Sequence, residues 1–176
     1  MNKLTLIALV ALSVAGCSTG SKDSAPKGSA SPGASGAAAS TGTGKAAAAA
    51  KVIKIAKLGL QGSAPGETEE PLIGDGDPIM IAAGGFTVNV SAAKPTDPAK
   101  IADEQEVAKT FNAKNVKTET LPDGWAVTFQ NTGSAGDNFF VSVRRDIGGK
   151  PYMCETTQNN VEQQKKSLDF CKSLSK

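Results

Sequence analysis

The sequence predicts an α+β fold: an antiparallel sheet packed against two helices, preceded by a disordered tether. Three observations predict it. Residues 52–176 hold every Phe, the one Trp and the one Tyr, whereas residues 18–51 contain no aromatic residue and no aliphatic residue larger than Ala. Apolar and polar residues alternate in short runs between Gly-rich turns, which is the period of half-buried strands. Two further segments carry apolar residues at helical spacing instead.

The C-terminal half reads most clearly. Trp125, Val127 and Phe129 alternate with Ala126, Thr128 and Gln130, one strand. Phe139, Val141 and Val143 alternate with Phe140, Ser142 and Arg144, a second. Between them, residues 131–138 (NTGSAGDN) have loop chemistry. Gly148-Gly149 marks a tight turn before a third strand over residues 151–157, with Tyr152 and Cys154 on one face. Leu121-Pro122-Asp123-Gly124 is a turn that joins a strand over residues 115–120, completing a four-stranded meander. Asp97-Pro98 predicts a helix start, with Asp as cap and Pro first in the helix, and Ile101, Ala108 and Phe111 on one face. Asn160 caps a closing helix whose stripe is Val161, Gln164, Leu168 and Cys171, with Leu174 a turn further. Residues 79–83 and 86–91 read as two strands around Gly84-Gly85. Two readings fit the start of the domain. Residues 57–63 form a first strand, or residues 51–58 form a short amphipathic helix near a membrane, with Lys51, Lys54 and Lys57 on one side.

The resulting order, β-ββ-α-βββ-β-α, resembles the Mog1/PsbP-like α-β sandwich in architecture. The points of likeness are an early hairpin, a helix at Asp97-Pro98, a meander after Gly124-Trp125 and a closing helix. That resemblance implies a sandwich of sheet and helices and carries no function with it.

The leader has its own signature. Lys3 is followed by a nearly unbroken apolar run over residues 4–12 and then by small residues, the three-part design of a secretory signal. The run is far short of the roughly 20 residues of a permanent span. Val14-Ala15-Gly16-Cys17 resembles the lipobox of bacterial lipoproteins. The resemblance implies a signal peptide over residues 1–16, cleavage before Cys17, a diacylglyceryl group on its thiol and acylation of the new N-terminus. Ser18 rather than Asp follows the cysteine, which implies the outer membrane. More than one acyl chain suffices for stable anchoring. Residues 17–51 are then a lipidated N-terminus and flexible linker, too poor in apolar surface to offset the entropy of ordering. Its lysines (Lys22, Lys27, Lys45, Lys51) outnumber its one acid, Asp23, and read as solubilising charge. With Cys17 consumed and export into an oxidising compartment, Cys154 and Cys171 have one pairing left. That disulfide closes a loop of about 18 residues, worth roughly 3 kcal/mol in loop-closure entropy.

Chemistry-bearing groups are sparse. The chain has no histidine, which excludes Ser-His-Asp and Cys-His catalysis and removes the commonest zinc ligand. No Gly-rich phosphate loop is present, so no cofactor is expected. Residues 52–176 carry 14 basic and 16 acidic side chains without a basic patch, against nucleic-acid binding. Glu67, Glu69 and Glu70 precede Gly74-Asp75-Gly76-Asp77, but calcium-loop spacing is missing and a solvated turn is expected, with no metal. Arg144 and Arg145 read as charges on an edge strand, Glu104, Glu106 and Glu162 as solvated helix faces, and Phe140 as a contact of the closing helix. Trp125 and Phe139 fit the core.

The function expected is that of a non-enzymatic binding module, held to membrane lipid through acylated Cys17. Its partner is an envelope protein or a small apolar ligand between sheet and helix. The alternatives are an envelope enzyme using carboxylates alone, and a structural or stress-related lipoprotein with no specific ligand.

Overall fold

A computed structural model describes residues 50–64, 66 and 70–176. The leader, Cys17, the linker as far as Ala49, and Glu67 and Glu69 lie outside the described residues.

Nine strands and two helices are found among the described residues: β1 (Lys51–Ile55), β2 (Leu60–Ala64), β3 (Leu72–Ile73), β4 (Ile79–Ala83), β5 (Phe86–Ala92), α1 (Ile101–Thr110), β6 (Lys114–Leu121), β7 (Gly124–Gly133), β8 (Gly136–Ile147), β9 (Lys150–Gln158) and α2 (Val161–Ser173). The fold is α+β. β1 and β2 form a hairpin; the other strands make one antiparallel sheet in the order β3-β4-β5-β9-β8-β7-β6. Because side chains alternate across the sheet, it has two apolar faces. One face joins Ile81, Val88, Val90, Ala126, Val141, Val143 and Cys154 to Ile53, Ile55 and Leu60 of the hairpin and to Phe170, Cys171 and Leu174 of α2. The other joins Trp125, Val127, Phe129 and Met153 to Ala108 of α1.

Neither reading of residues 51–58 is complete. Lys51–Ile55 is a strand, Ala56–Leu58 is one turn of 3-10 helix, and Gly59 (φ 64°) turns the chain into β2. Burial decides it: Ile53 and Ile55 are inside while Val52 is 57% exposed, a period of two rather than 3.6. The 131–138 loop is also corrected. β7 and β8 stay paired as far as Gly133 and Gly136, and only Ser134 and Ala135 turn. Polar cross-strand pairs hold this stalk: Asn138 Nδ2 donates to Asn131 Oδ1 at 2.9 Å and Thr132 Oγ1 to Asp137 Oδ1 at 2.8 Å.

α1 begins three residues later than Asp97-Pro98 suggests. The Asp97 carboxylate accepts from the Lys94 N–H instead (2.6 Å), and Asp103 accepts from the Lys100 N–H at the helix start (3.1 Å). α2 is capped as expected, Asn160 Oδ1 accepting from the Gln163 N–H at 2.9 Å. Of its expected stripe, Gln164, Cys171 and Leu174 are buried and Leu168 is half-buried, but Val161 is 62% exposed. Ser167 and Phe170 are buried as well. The Cys154 and Cys171 sulfurs lie at disulfide distance, with Cα atoms 5.6 Å apart.

α2 and β2 meet tightly. Gln61 and Ser175 exchange backbone hydrogen bonds of 2.8 and 2.9 Å, and the Ser63 N–H donates to Ser173 Oγ at 2.7 Å. The ring of Phe170 fills the space above Gly62, where an added Cβ would lie 2.6 Å from it. Since that ring is fully buried, Gly62→Ala is expected to lower stability by about 1–3 kcal/mol through overpacking, read from the denaturant midpoint.

Candidate functional site

The site lies on the sheet face covered by α1. The antiparallel registers place Asn89 of β5, Glu155 of β9, Ser142 of β8 and Val127 of β7 in one row across the sheet. The next row carries Thr157, Phe140 and Phe129. Above them, Glu104 and Ala108 lie at i and i+4 on the inward side of α1, and Phe111 follows at its C-terminal end. A hollow of about 350 Å³ remains between helix and sheet, lined by Asn89, Glu104, Phe111, Phe140, Ser142 and Glu155 among others.

Its two ends differ in chemistry. One is aromatic. Phe129 and Phe140 stack at 4.5 Å between centroids, and Phe111 closes on both at 6.1 and 5.5 Å. The other end is acidic. Glu104 is 4% exposed, and burial, reinforced by the charge of Glu155, pushes its carboxyl up to about 7, against a hydrogen bond with Ser142 that lowers it. Glu155 is exposed, and its carboxyl accepts from Ser142 Oγ at 3.3 Å. Burial raises that carboxyl too; the Ser142 hydrogen bond opposes the shift and the charge of Asp97 adds to it. Neither carboxyl belongs to an ion pair among the described residues. The nearest guanidinium on this face, that of Arg144, donates to the Pro98 carbonyl at 3.2 Å.

No protein-family model matches this chain, and no curated protein matches it in sequence. The chemistry of the hollow has to be read from its own groups. A carboxyl removed from water without a cation is costly in its charged form, so it holds a proton or recruits a counter-charge. A second, larger hollow of about 680 Å³ lies at the Gly84-Gly85 turn, with Glu70 as its one charged lining residue among the described residues.

Several residues are not where the sequence suggests. Glu104 is not a solvated helix face but the most deeply buried carboxyl among the described residues. Its spacing held the signal: it falls within the Ile101–Ala108–Phe111 stripe that predicts the inward face. Glu106 and Glu162 do face solvent, beside Lys109 and Lys166. Phe140 packs against Phe111 after α1, not against the closing helix; only its backbone carbonyl meets α2, accepting from Gln164 Nε2 at 2.9 Å. Phe139 is half-buried and joins neither apolar cluster.

The arginines are not on an edge strand, because β8 lies between β9 and β7. Arg145 forms a bidentate pair with Asp123 (2.7 and 2.8 Å) and donates to the Lys172 carbonyl, tying the 122–123 turn to the end of α2. Its hydrogen bonds hold the Asp123 carboxyl below the usual carboxylate value. In the acidic loop, Glu70 pairs with Lys51, and the carbonyls of Asp75 and Gly76 accept from Lys57. No cluster of three or more metal-ligating side chains is found among the described residues. Cys154 and Cys171 belong to the opposite face of the sheet, away from the hollow.

Proposed function

We propose that this chain is a lipid-anchored bacterial envelope protein, attached through acylated Cys17 at the outer membrane, whose domain binds a small, largely apolar ligand. The hollow between α1 and the sheet carries the binding part of this reading. It pairs an aromatic wall with a few convergent polar groups, the composition of small-molecule sites. The lipobox sequence Val14-Ala15-Gly16-Cys17 supports the anchor.

Two measurements test the two halves. Intact-mass spectrometry of the native protein is expected to show a chain beginning at Cys17 and carrying acyl groups, with Cys17→Ser released from membranes by alkaline washing. An unmodified precursor, or membrane retention of Cys17→Ser, would refute the anchor. For the hollow, 2-phenylethanol added to the detergent-solubilised mature chain is expected to shift the backbone amide resonances of α1, β8 and β9. Val107→Trp, which fills the hollow from α1, is expected to abolish those shifts while leaving the thermal transition within a few degrees. Shifts that persist in Val107→Trp place binding elsewhere.

A second reading is favoured by one observation. A carboxyl that keeps its proton to about pH 7 beside another carboxyl is the division of labour that acid–base catalysis requires. Turnover of a bound compound, lost in Glu104→Gln, would move the assignment to a carboxylate-dependent envelope enzyme.

A further inference from the structure

We infer that the ligand of this hollow is an organic cation: a protonated amine on an aromatic or aliphatic body, its body against Phe111, Phe129 and Phe140 and its ammonium between Glu104 and Glu155. The inference rests on the hollow being a binding site and adds the charge of what fills it.

Three observations converge. Glu104 is almost fully buried, and no lysine or arginine among the described residues pairs with it or with Glu155. The groups around the pair sharpen the imbalance. From β8 comes Ser142, whose one hydroxyl proton goes to Glu155. From β5 comes the neutral Asn89 and from β7 the apolar Val127, while the loop before α1 contributes a third carboxylate, Asp97. Arg144 gives one N–H to the Pro98 carbonyl and forms no ion pair with either carboxyl. On α1 itself the inward neighbour is Ala108, and Glu106 is turned to solvent beside Lys109.

A neutral guest leaves this charge uncompensated and an anionic one adds to it. An ammonium supplies the missing counter-charge and three donors, and its body covers the stacked rings. Aromatic faces attract cations as well, so both ends of the hollow select for the same charge. The cavity volume of about 350 Å³ suits a ligand of roughly one ring and a short chain. Val107 and Phe111, 39% and 45% exposed, stand at its helix side and offer apolar surface to an entering guest.

The test compares 2-phenylethylammonium with 2-phenylethanol, which differ in one charged group, on the detergent-solubilised mature chain at pH 8. Affinity is followed by amide shifts of α1, β8 and β9. The ammonium is expected to bind at least tenfold more tightly. Its advantage is expected to fall below threefold in Glu104→Gln, and to shrink as pH is lowered to 5.5, where Glu104 takes up a proton; the affinity of the alcohol is expected to stay constant. Equal affinity for both probes at pH 8, or ammonium shifts mapping outside the hollow, overturns the charge assignment and leaves the hollow as a binding site. Absence of shifts with either probe overturns both.

Discussion

Phe170→Ala is expected to destabilise the domain by about 4 kcal/mol, within the range for deleting a fully buried aromatic ring. The ring has no exposed surface and sits where hairpin, α2 and sheet meet. Phe86 lies against it at 5.5 Å between centroids, and Gly62 offers only backbone beneath it. The cavity left behind has few ways to collapse. β2 is held to the end of α2 by the Gln61–Ser175 exchange and by Ser63–Ser173, and the next residue along α2, Cys171, lies at disulfide distance from β9. Denaturant unfolding followed by the fluorescence of Trp125, in the other apolar cluster, measures the loss. Phe170→Leu, which keeps most of the volume, is expected to cost about 1–2 kcal/mol and guards against a variant that does not fold. The coupling with Gly62 is the stricter check. Gly62→Ala, destabilising on its own, is expected to be neutral or stabilising in the Phe170→Ala background, where the new methyl enters vacated space. Additive losses would show that ring and glycine do not share that space.

That contact also marks where sequence reading stops. The meander of β6 to β9 is legible because Trp125, Val127, Phe129, Val141 and Val143 alternate with polar residues, and alternation encodes a face directly. Gly84-Gly85 and Asn160 are legible as local chemistry, a turn and a cap. The errors arise where local chemistry and tertiary pairing disagree. Asn131, Thr132, Asp137 and Asn138 are turn-forming residues, yet opposite one another they pair side chain to side chain and extend the hairpin. Asp97 has a cap's chemistry but spends its carboxylate on a preceding turn. β8 looks like an edge strand because it carries Arg144 and Arg145, but both guanidinium groups are absorbed by backbone carbonyls and Asp123. The hollow itself was not legible. Its acid pair joins residue 104 to residue 155, a proximity that exists only once α1 lies across β8 and β9. What sequence did contain was a glutamate within an apolar helical stripe, a conflict between residue and position of the kind that marks functional sites.

The same glutamate gives the fold an unusual pH dependence. A carboxyl raised from 4.5 to about 7 in the folded protein binds its proton more tightly there than in the unfolded chain. Between those two values the native state holds more protons, so stability declines as pH rises. Its contribution is fully present below about pH 4.5 and lost once pH passes about 7. The shift corresponds to roughly 3 kcal/mol, and Glu155, raised as well, acts in the same direction. The opposing groups titrate elsewhere: Asp123, lowered from 3.8, matters only in more acidic solution, and the chain has no histidine to change charge between pH 5 and 8. Stability is therefore expected to be about 2–3 kcal/mol greater at pH 5 than at pH 8, a Tm difference of roughly 10 °C for a domain of this size. Glu104→Gln keeps the shape and the hydrogen-bonding capacity without the charge. It is expected to match the parent at pH 5, exceed it by about 2–3 kcal/mol at pH 8, and flatten most of the pH profile. Glu106→Gln, two residues along on the solvent side of the helix, is expected to leave that profile unchanged. A parent protein as stable at pH 8 as at pH 5 would mean that the charged Glu104 is compensated in the folded state, and the case for an ammonium guest would lose its electrostatic ground with it.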